Sequence, residues 1–550
     1  MRRFRLPLAF LLVNGLLLAP GWTIVGGLGP PWLTGEAVLL VPLLFFLPPT
    51  RLSRRLAFGL AVLLTLLAGL LVADAAARLS LSRPLNLYLD WHLLGPVWKL
   101  LAGSMGPLPA AAVFLGLGAS ASLMGWGLGH LLSALPSPSL TRSGRLAGAG
   151  CTAALVIGTT AFPAGWWGEQ SGGVAELPDA LGWPTARFSV EQARGVGRLL
   201  AERDAFAIEI ARSPSSYREM SGLLKRLHGR TVVLAFVESY GISAIEDSAY
   251  ASVILSRLGD FERRMAASGL YMATGSLVAP TQGGQSWFSH GTLLSGLWLD
   301  NQLKYDLLLT SDRETLIDDF RRAGYKTVAL MPAITLAWPE GRWFGYDEIY
   351  AHRDIDYAGP ALNWVTMPDQ FTWSFLERTV RVRAEGRPLF VQLGLISSHA
   401  PWTPILPVLE DWDAIGDGSV FAQFENAGER PEELWRNLDR VREHFALALD
   451  YALHATTAYA ERYVDGRTLL IVLGDHQPAP LITGENASRA VPIHVISGDS
   501  TLVSPFLEWG FTPGAIPASG EGALRMDAFR DWFVRAFSGS GTPRNAARTP

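Results

Sequence analysis

Charge is spread very unevenly along this chain of 550 residues. Residues 1–168 hold 11 Lys and Arg against 3 Asp and Glu, whereas the remaining 382 hold 35 against 47. The net charge of −4 is therefore the sum of a +8 part and a −12 part. A soluble globular domain carries about 25% charged residues, and the first third has far fewer. Its apolar stretches run over 6–24, 36–47, 56–77, 108–135 and 146–167. A helix crosses the hydrocarbon core with roughly 17–25 apolar residues, so five spans are expected. The second is the shortest and is flanked by Pro42, Pro48 and Pro49. A cleaved signal peptide competes for the first segment, where Arg2, Arg3 and Arg5 precede the apolar core. The long apolar stretches that follow favour an anchor.

Arginine placement sets the orientation. Arg2, Arg3 and Arg5 precede span one, Arg51, Arg54 and Arg55 follow span two, and Arg142 and Arg145 follow span four. The segment between spans one and two has no Lys or Arg. Five spans with the N-terminus inside leave the chain after Trp167 outside the cytoplasm, on a multi-pass protein of the cell (inner) membrane. Residues 85–101 (LNLYLDWHLLGPVWKLL) are apolar but interrupted by Asp90, His92 and Pro96, which predicts an interfacial helix and not a sixth span. No basic face suggests a nucleic acid partner. The single cysteine, Cys151, excludes an internal disulfide.

Past a connector at 169–225, with a helical stretch at 190–211, the pattern changes. Short β-branched runs appear at 231–237 (TVVLAFV), 327–331 (TVALM), 389–397 (LFVQLGLIS) and 468–474 (TLLIVLG). Continuous apolar runs are the mark of buried parallel strands. Helical stretches at 313–323, 371–383 and 438–463 lie among them. This alternation predicts an α/β domain over 226–537, a mostly parallel sheet with helices on both faces, followed by a disordered tail at 538–550.

Functional groups in such sheets gather beyond the carboxyl ends of the strands. The first strand runs into Glu238, the third into Ser398 and His399, and the fourth into Gly474, Asp475 and His476. Two carboxylates with imidazole suit Mn²⁺, Mg²⁺ or Zn²⁺. Each residue alone has an ordinary structural explanation, and it is their joint position that points to a metal. In TQGGQSWFSHGTLLSG (281–296), Gly283 and Gly284 permit a tight turn and Ser286 opens a helical stretch. A hydroxyl at that place is either a nucleophile, favoured by the helix dipole and a nearby cation, or simply an N-cap.

These motifs resemble the alkaline phosphatase/sulfatase superfamily, and within it the membrane-anchored lipoteichoic acid synthase (phosphoglycerol transferase) branch. Five spans, a connector and an outward catalytic domain match that branch over nearly the whole chain. The resemblance implies one divalent metal, Mn²⁺ first with Mg²⁺ or Zn²⁺ as alternatives, held by Glu238, Ser286, Asp475 and His476, with Ser286 as nucleophile. Ser286 to Gly296 also resembles the sulfatase signature, but Phe288 and His290 fill its Pro and Arg positions, which disfavours formylglycine chemistry. WPEGRWFGYD (338–347) resembles the branch's Trp–Arg segment, placing Trp338 and Arg342 at a phosphodiester headgroup; a packed aromatic turn is the alternative. Met331 and Pro332 lie near where the branch carries a histidine. His399 matches a histidine that contacts the phosphoryl group. His494 resembles one in phosphoethanolamine transferases or is a satisfied strand histidine, and His290 is a further substrate-binding candidate.

The expected activity is transfer of a phosphoglycerol-type or phosphoethanolamine-type headgroup. It passes from a membrane phospholipid donor to an extracytoplasmic glycan, lipid or polymer acceptor through a phosphoserine. A membrane-bound hydrolase (phosphodiesterase or phosphatase) with the same serine and metal is the alternative, and a non-catalytic membrane protein with a degenerate domain comes last.

Overall fold

The computed structural model describes residues 4–25, 27–137, 140–161, 181–212, 217, 220–484, 486–518 and 522–538. The chain divides into two compact units, Met1–Leu79 with Arg83–Ala201, and Ser80–Ser82 with Glu202–Pro550.

The first unit is helical. Its helices are α1 (Arg5–Val25), α2 (Gly35–Phe46), α3 (Arg51–Leu81), α4 (Leu94–Met105), α5 (Pro107–Ser133) and α6 (Arg142–Ala161), with α7 (Pro184–Arg212) beginning here. A short parallel pair joins β1 (Leu33–Thr34) to β2 (Leu181–Gly182). Among the described residues three helices are long and apolar enough to cross a membrane: α1, α3 and α5. At 12 residues, α2 rises about 18 Å, short of a hydrocarbon core of about 30 Å. The end of the expected fifth span, 162–167, lies outside the described residues, as do 169–180 of the connector and 539–550 of the tail. The expected interfacial segment is a 3₁₀ turn, Asp90–Leu93, running into α4.

Packing in this unit reverses the soluble pattern. Ala9, Val13 and Leu17 of α1 meet Ala37 and Val41 of α2, Ala57, Ala61 and Ala68 of α3, and Leu128 and Leu132 of α5. Small residues at helical spacing let helices approach closely in lipid. Leu11, Leu12, Leu56, Leu63, Leu66, Leu115, Leu117 and Leu123 face outward, as a lipid-facing surface requires.

The second unit holds a nine-stranded mixed sheet. Its strands are β3 (Thr231–Val237), β4 (Tyr271–Val278), β5 (Lys326–Met331), β6 (Glu348–Ala351), β7 (Leu389–Leu395), β8 (Thr468–Gly474), β9 (Ala490–Ser497), β10 (Thr512–Pro513) and β11 (Leu524–Arg525). The order is β10-β4-β9-β8-β3-β7-β5-β6, with β11 on β4. The block β8-β3-β7-β5-β6 is parallel. Strand β9 runs antiparallel to both β8 and β4, so the sheet is mixed, although most of its pairings are parallel. Because β9 reverses direction once, β4 again points the same way as β3, and both end at one edge.

Helices cover both faces, since successive strand side chains point to opposite sides. Val233, Ala235 and Val237 of β3 pack with Tyr250, Ile254 and Leu258 of α8 (Ser248–Ala267) and with α12 (Leu438–Tyr463). Val232, Leu234 and Phe236 pack on the other face with Leu293 and Leu294 of α9 (Ser286–Ser295), α10 (Leu316–Arg322), α13 (Ser500–Glu508) and α14 (Ala528–Phe537). The helix expected at 371–383 starts as α11 (Asp369–Phe375) and continues as a wider π turn, Leu376–Arg381.

Candidate active site

Two tight turns bring the expected ligands together. After β3 the backbone passes Glu238 and enters a left-handed conformation at Ser239, φ 57°. The Ser239 amide donates to Asp475 Oδ1 at 2.8 Å, and its hydroxyl donates to Glu238 Oε1 at 2.8 Å. After β8, Gly474 lies against the first turn; a Cβ there would stand 1.8 Å from the Tyr240 carbonyl oxygen. The next two residues are Asp475 and His476, both buried, and the His476 amide also donates to Asp475 Oδ1 at 2.7 Å.

The nucleophile candidate arrives from β4. Gly283 and Gly284 have φ of 76° and 144°, and Gln285 follows in the left-handed region at 64°. Gln285, not Ser286, occupies the cap position, with no side-chain cap bond, so the N-cap explanation of Ser286 does not hold. Ser286 is the first helical residue. Its hydroxyl lies 3.2 Å from His476 Nε2 and 3.4 Å from Glu238 Oε2. Behind it Phe288 packs into a cluster with Leu297, Leu299, Tyr305 and Leu308.

Glu238, Asp475 and His476 present ligand atoms within 4.8 Å of one another, a group able to hold a metal ion. His476 Nε2 is 3.4 Å from Glu238 Oε1 and 3.7 Å from Asp475 Oδ2. Its Nδ1 is engaged by the Gln477 carbonyl at 2.9 Å, which leaves Nε2 as the inward ligand atom. The carboxylates and the imidazole shift one another. Burial and the charge on Glu238 push the Asp475 carboxyl up to about 7. Burial works against ionised Glu238 as well, but His476 and His399 more than offset it and hold that carboxyl below its usual range. Burial likewise opposes a charged His476, yet Asp475 and Glu238 carry it above the ordinary histidine value. Two crowded carboxylates beside one imidazole and one hydroxyl form an O/N donor set that fits a hard or borderline divalent cation.

The remaining candidates divide. His399 stacks on Trp364 (centroids 5.5 Å apart) and directs Nδ1 to the Ala400 carbonyl at 2.6 Å; its charge acts on Glu238. His290, one turn along α9 from Ser286, stacks on Phe236 at 3.9 Å, and burial pulls it down to about 3. Arg342 is exposed in the short helix Pro339–Phe344, which Trp338 begins. Trp338 is half-buried, its ring 6.3 Å from that of Tyr346. His494 is not brought to the group. It is fully buried, with Nε2 3.0 Å from the Tyr240 hydroxyl and Nδ1 2.9 Å from Thr274 Oγ1. Thr274 donates to the Gly514 carbonyl, so His494 donates from Nδ1 and accepts at Nε2. Both nitrogens are used within the core, and the substrate-binding expectation for His494 gives way to that of a satisfied strand histidine.

The sequence reading assigned no role to Ser239, or to the strand-end Ser398, whose hydroxyl donates to the Glu238 carbonyl at 2.6 Å. Both sit directly beside a named candidate: Ser239 follows the strand-end Glu238 and Ser398 precedes His399.

No family model matches the chain, and no curated protein matches its sequence. Among solved structures it is similar to the lipoteichoic acid synthase LtaP of Listeria monocytogenes, with 11% identity, 53% of this chain and 70% of that one covered, and a TM-score of 0.37. It is similar also to the Streptococcus pyogenes phosphoglycerol transferase GacH in complex with sn-glycerol-1-phosphate, with 12% identity, coverage of 64% and 88%, and a TM-score of 0.35. A protein of the alkaline phosphatase superfamily from Vibrio parahaemolyticus gives 12% identity, coverage of 52% and 67%, and a TM-score of 0.31. Each is a likeness of chain trace at low identity, and what the site does has to come from its own residues.

Proposed function

We propose that this chain is a membrane-anchored, metal-dependent transferase that moves a phosphoglycerol-type or phosphoethanolamine-type headgroup from a phospholipid to an extracytoplasmic acceptor through a phosphoserine. The observation that carries the reading is the convergence of the Ser286 hydroxyl with Glu238, Asp475 and His476 at the end of three strands. Bound by these three side chains and by Ser286, a divalent cation such as Mn²⁺ would supply the charge that lets a serine hydroxyl ionise near neutral pH.

Ser286 Oγ loses its proton to solvent and attacks phosphorus; the bond from phosphorus to the diacylglycerol oxygen breaks. The α9 N-terminus favours the anionic phosphoryl group, and Arg342, with Trp338 beside it, binds headgroup oxygens as a fork. His399 gives its Nδ1–H to the Ala400 carbonyl; in its protonated form its Nε2–H would protonate the departing alkoxide, leaving a neutral ring with a bare Nε2. An acceptor hydroxyl on a glycan, lipid or polymer then attacks the same phosphorus as its proton passes to that bare Nε2, the bond from phosphorus to Ser286 Oγ breaks, and the serine oxygen takes a proton back from solvent. Five spans with the N-terminus inside would hold this domain on the extracytoplasmic side of the cell membrane, next to its lipid donor.

The test is to incubate the purified full chain with headgroup-labelled phosphatidylglycerol or phosphatidylethanolamine and Mn²⁺, and to map the label by mass spectrometry. A headgroup adduct on Ser286, absent from Ser286→Ala, is expected. No adduct with either lipid, together with unchanged turnover in Ser286→Ala, overturns the proposal. Label released only as the free headgroup phosphate would convert the transferase into a hydrolase.

A further inference from the structure

Strand β7 is apolar except for Gln392, which is 1% exposed. It sits in the middle of the sheet, level with Leu234 of β3 and Ala329 of β5. A buried carboxamide is costly unless its donors and acceptor are used. Gln392 uses both ends: Nε2 donates to His290 Nδ1 at 2.9 Å, and Oε1 accepts from the Tyr346 hydroxyl. Tyr346 belongs to the Trp338–Asp347 segment, and Trp338 lies beside its ring. The His290 ring is clamped on its flat side by Phe236 (3.9 Å, 21° between planes). Phe236 lies two residues before Glu238, and Glu238 and His476 both act electrostatically on His290. With Nδ1 accepting, the one proton of a neutral imidazole resides on Nε2. Nε2 has no hydrogen-bond partner among the described residues.

We propose that Tyr346 and Gln392 are positioning residues that lock His290 as its neutral Nε2–H tautomer, so that it offers one fixed N–H donor to an oxygen of the phosphoryl group at Ser286. The inference rests on the serine-transfer reading above and deepens it. The chain of donors runs one way: the Tyr346 hydroxyl to Gln392 Oε1, then the Gln392 amide to His290 Nδ1. A tyrosine hydroxyl that donates here selects the carboxamide orientation, and that orientation selects the tautomer. A neutral donor whose Nδ1 lone pair is occupied stabilises charge on an oxygen but has no spare proton to release. Protonation of the leaving oxygen therefore belongs to His399, and the two histidines have separate tasks. The Trp338–Asp347 segment thereby gains a second task beyond the headgroup contact, because its tyrosine orients a group beside the nucleophile.

The test uses the full chain in detergent with Mn²⁺ and phosphatidylglycerol as the probe, together with ¹⁵N-histidine spectra. The resonance pair removed by His290→Gln should show Nε2 protonated and Nδ1 bare. Gln392→Glu replaces the donor facing Nδ1 with an acceptor, so the proton should move to Nδ1 or the ring should become charged. In the same variant kcat for diacylglycerol release should fall about 10²-fold, the usual size for loss of one fixed donor, with KM little changed. Tyr346→Phe should give a smaller loss and a mixed tautomer. His290→Gln, whose amide reaches toward the Nε2 position, should recover part of what His290→Ala loses. A protonated Nδ1 in the wild-type protein overturns the lock. So does unchanged kcat in both Gln392→Glu and His290→Ala when their thermal midpoints show that they are folded. If Ser286→Ala also keeps wild-type turnover, the serine reading fails separately, while the nitrogen spectra still decide the tautomer.

Discussion

A serine hydroxyl in water is a poor nucleophile, and Ser286 differs from other serines only in its surroundings: His476 Nε2 at 3.2 Å, Glu238 Oε2 at 3.4 Å and the first turn of α9 around it. Removing the hydroxyl should therefore cost more than removing any one neighbour. Ser286→Ala is expected to lower headgroup transfer by about 10³-fold or more with an unchanged thermal midpoint, read from labelled-lipid turnover alongside a melting curve. Glu238→Gln removes a ligand charge and leaves the shape. It should lower bound Mn²⁺, measured by elemental analysis after dialysis, and reduce turnover, though by less than Ser286→Ala does. At His494 the expectation is the opposite. Tyr240→Phe strips the partner from a fully buried Nε2 and should reduce the unfolding free energy by about 1–3 kcal/mol. Denaturant titration measures that loss, and turnover per folded molecule should stay at the wild-type level. Ser286 and His494 show how far residue type carries: both are polar and follow or lie within strands, but only one has its polar atoms left over for chemistry.

At the level of elements, the site depends on how closely the ends of β3 and β8 approach. Gly474→Ala would put a methyl group 1.8 Å from the Tyr240 carbonyl oxygen, a backbone atom with nowhere to go. The end of β8 must then separate from β3, dispersing Asp475 and His476. The expected result is loss of metal binding together with a lower thermal midpoint, followed by Mn²⁺ titration and circular dichroism. A second joint ties α10 to α14. Arg530 Nε meets Asp319 Oδ2 at 2.9 Å with side chains 2% and 0% exposed. Breaking such a buried pair by Asp319→Asn should cost about 3–5 kcal/mol, seen as a shift of the denaturation midpoint. The sequence showed β3, β5, β7 and β8 because strands buried on both faces read as unbroken apolar runs. It did not show β4, whose YMATGSLV includes a glycine, two hydroxyl residues and an exposed Tyr271. That strand pairs with β9 and with the short β10 and β11, so its residues answer to neighbours that arrive more than two hundred positions later.

Over the whole molecule, ligand binding and anchoring give the remaining test. Because a cation that binds only the folded site stabilises it by mass action, Mn²⁺ at 100 times its dissociation constant should add about 2.7 kcal/mol. The increment should appear as a higher thermal midpoint in the wild type and vanish in Glu238→Gln. The alternation of apolar runs and arginines marked the first third as membrane from composition alone, because a hydrocarbon environment tolerates few charged side chains whatever the fold. Strand-end position likewise singled out Glu238, Asp475 and His476, because a parallel strand must deliver the next residue to the sheet edge. The tertiary structure decided the rest. It set the length of α2, the reversed β9 within the sheet, the consumption of both His494 nitrogens by Tyr240 and Thr274, and the junction of Tyr346 and Gln392 on His290. Periodicity records which side chains are buried or exposed. It carries no information about which buried polar group meets which, since those partners lie tens to hundreds of residues apart and are matched only when the sheet closes.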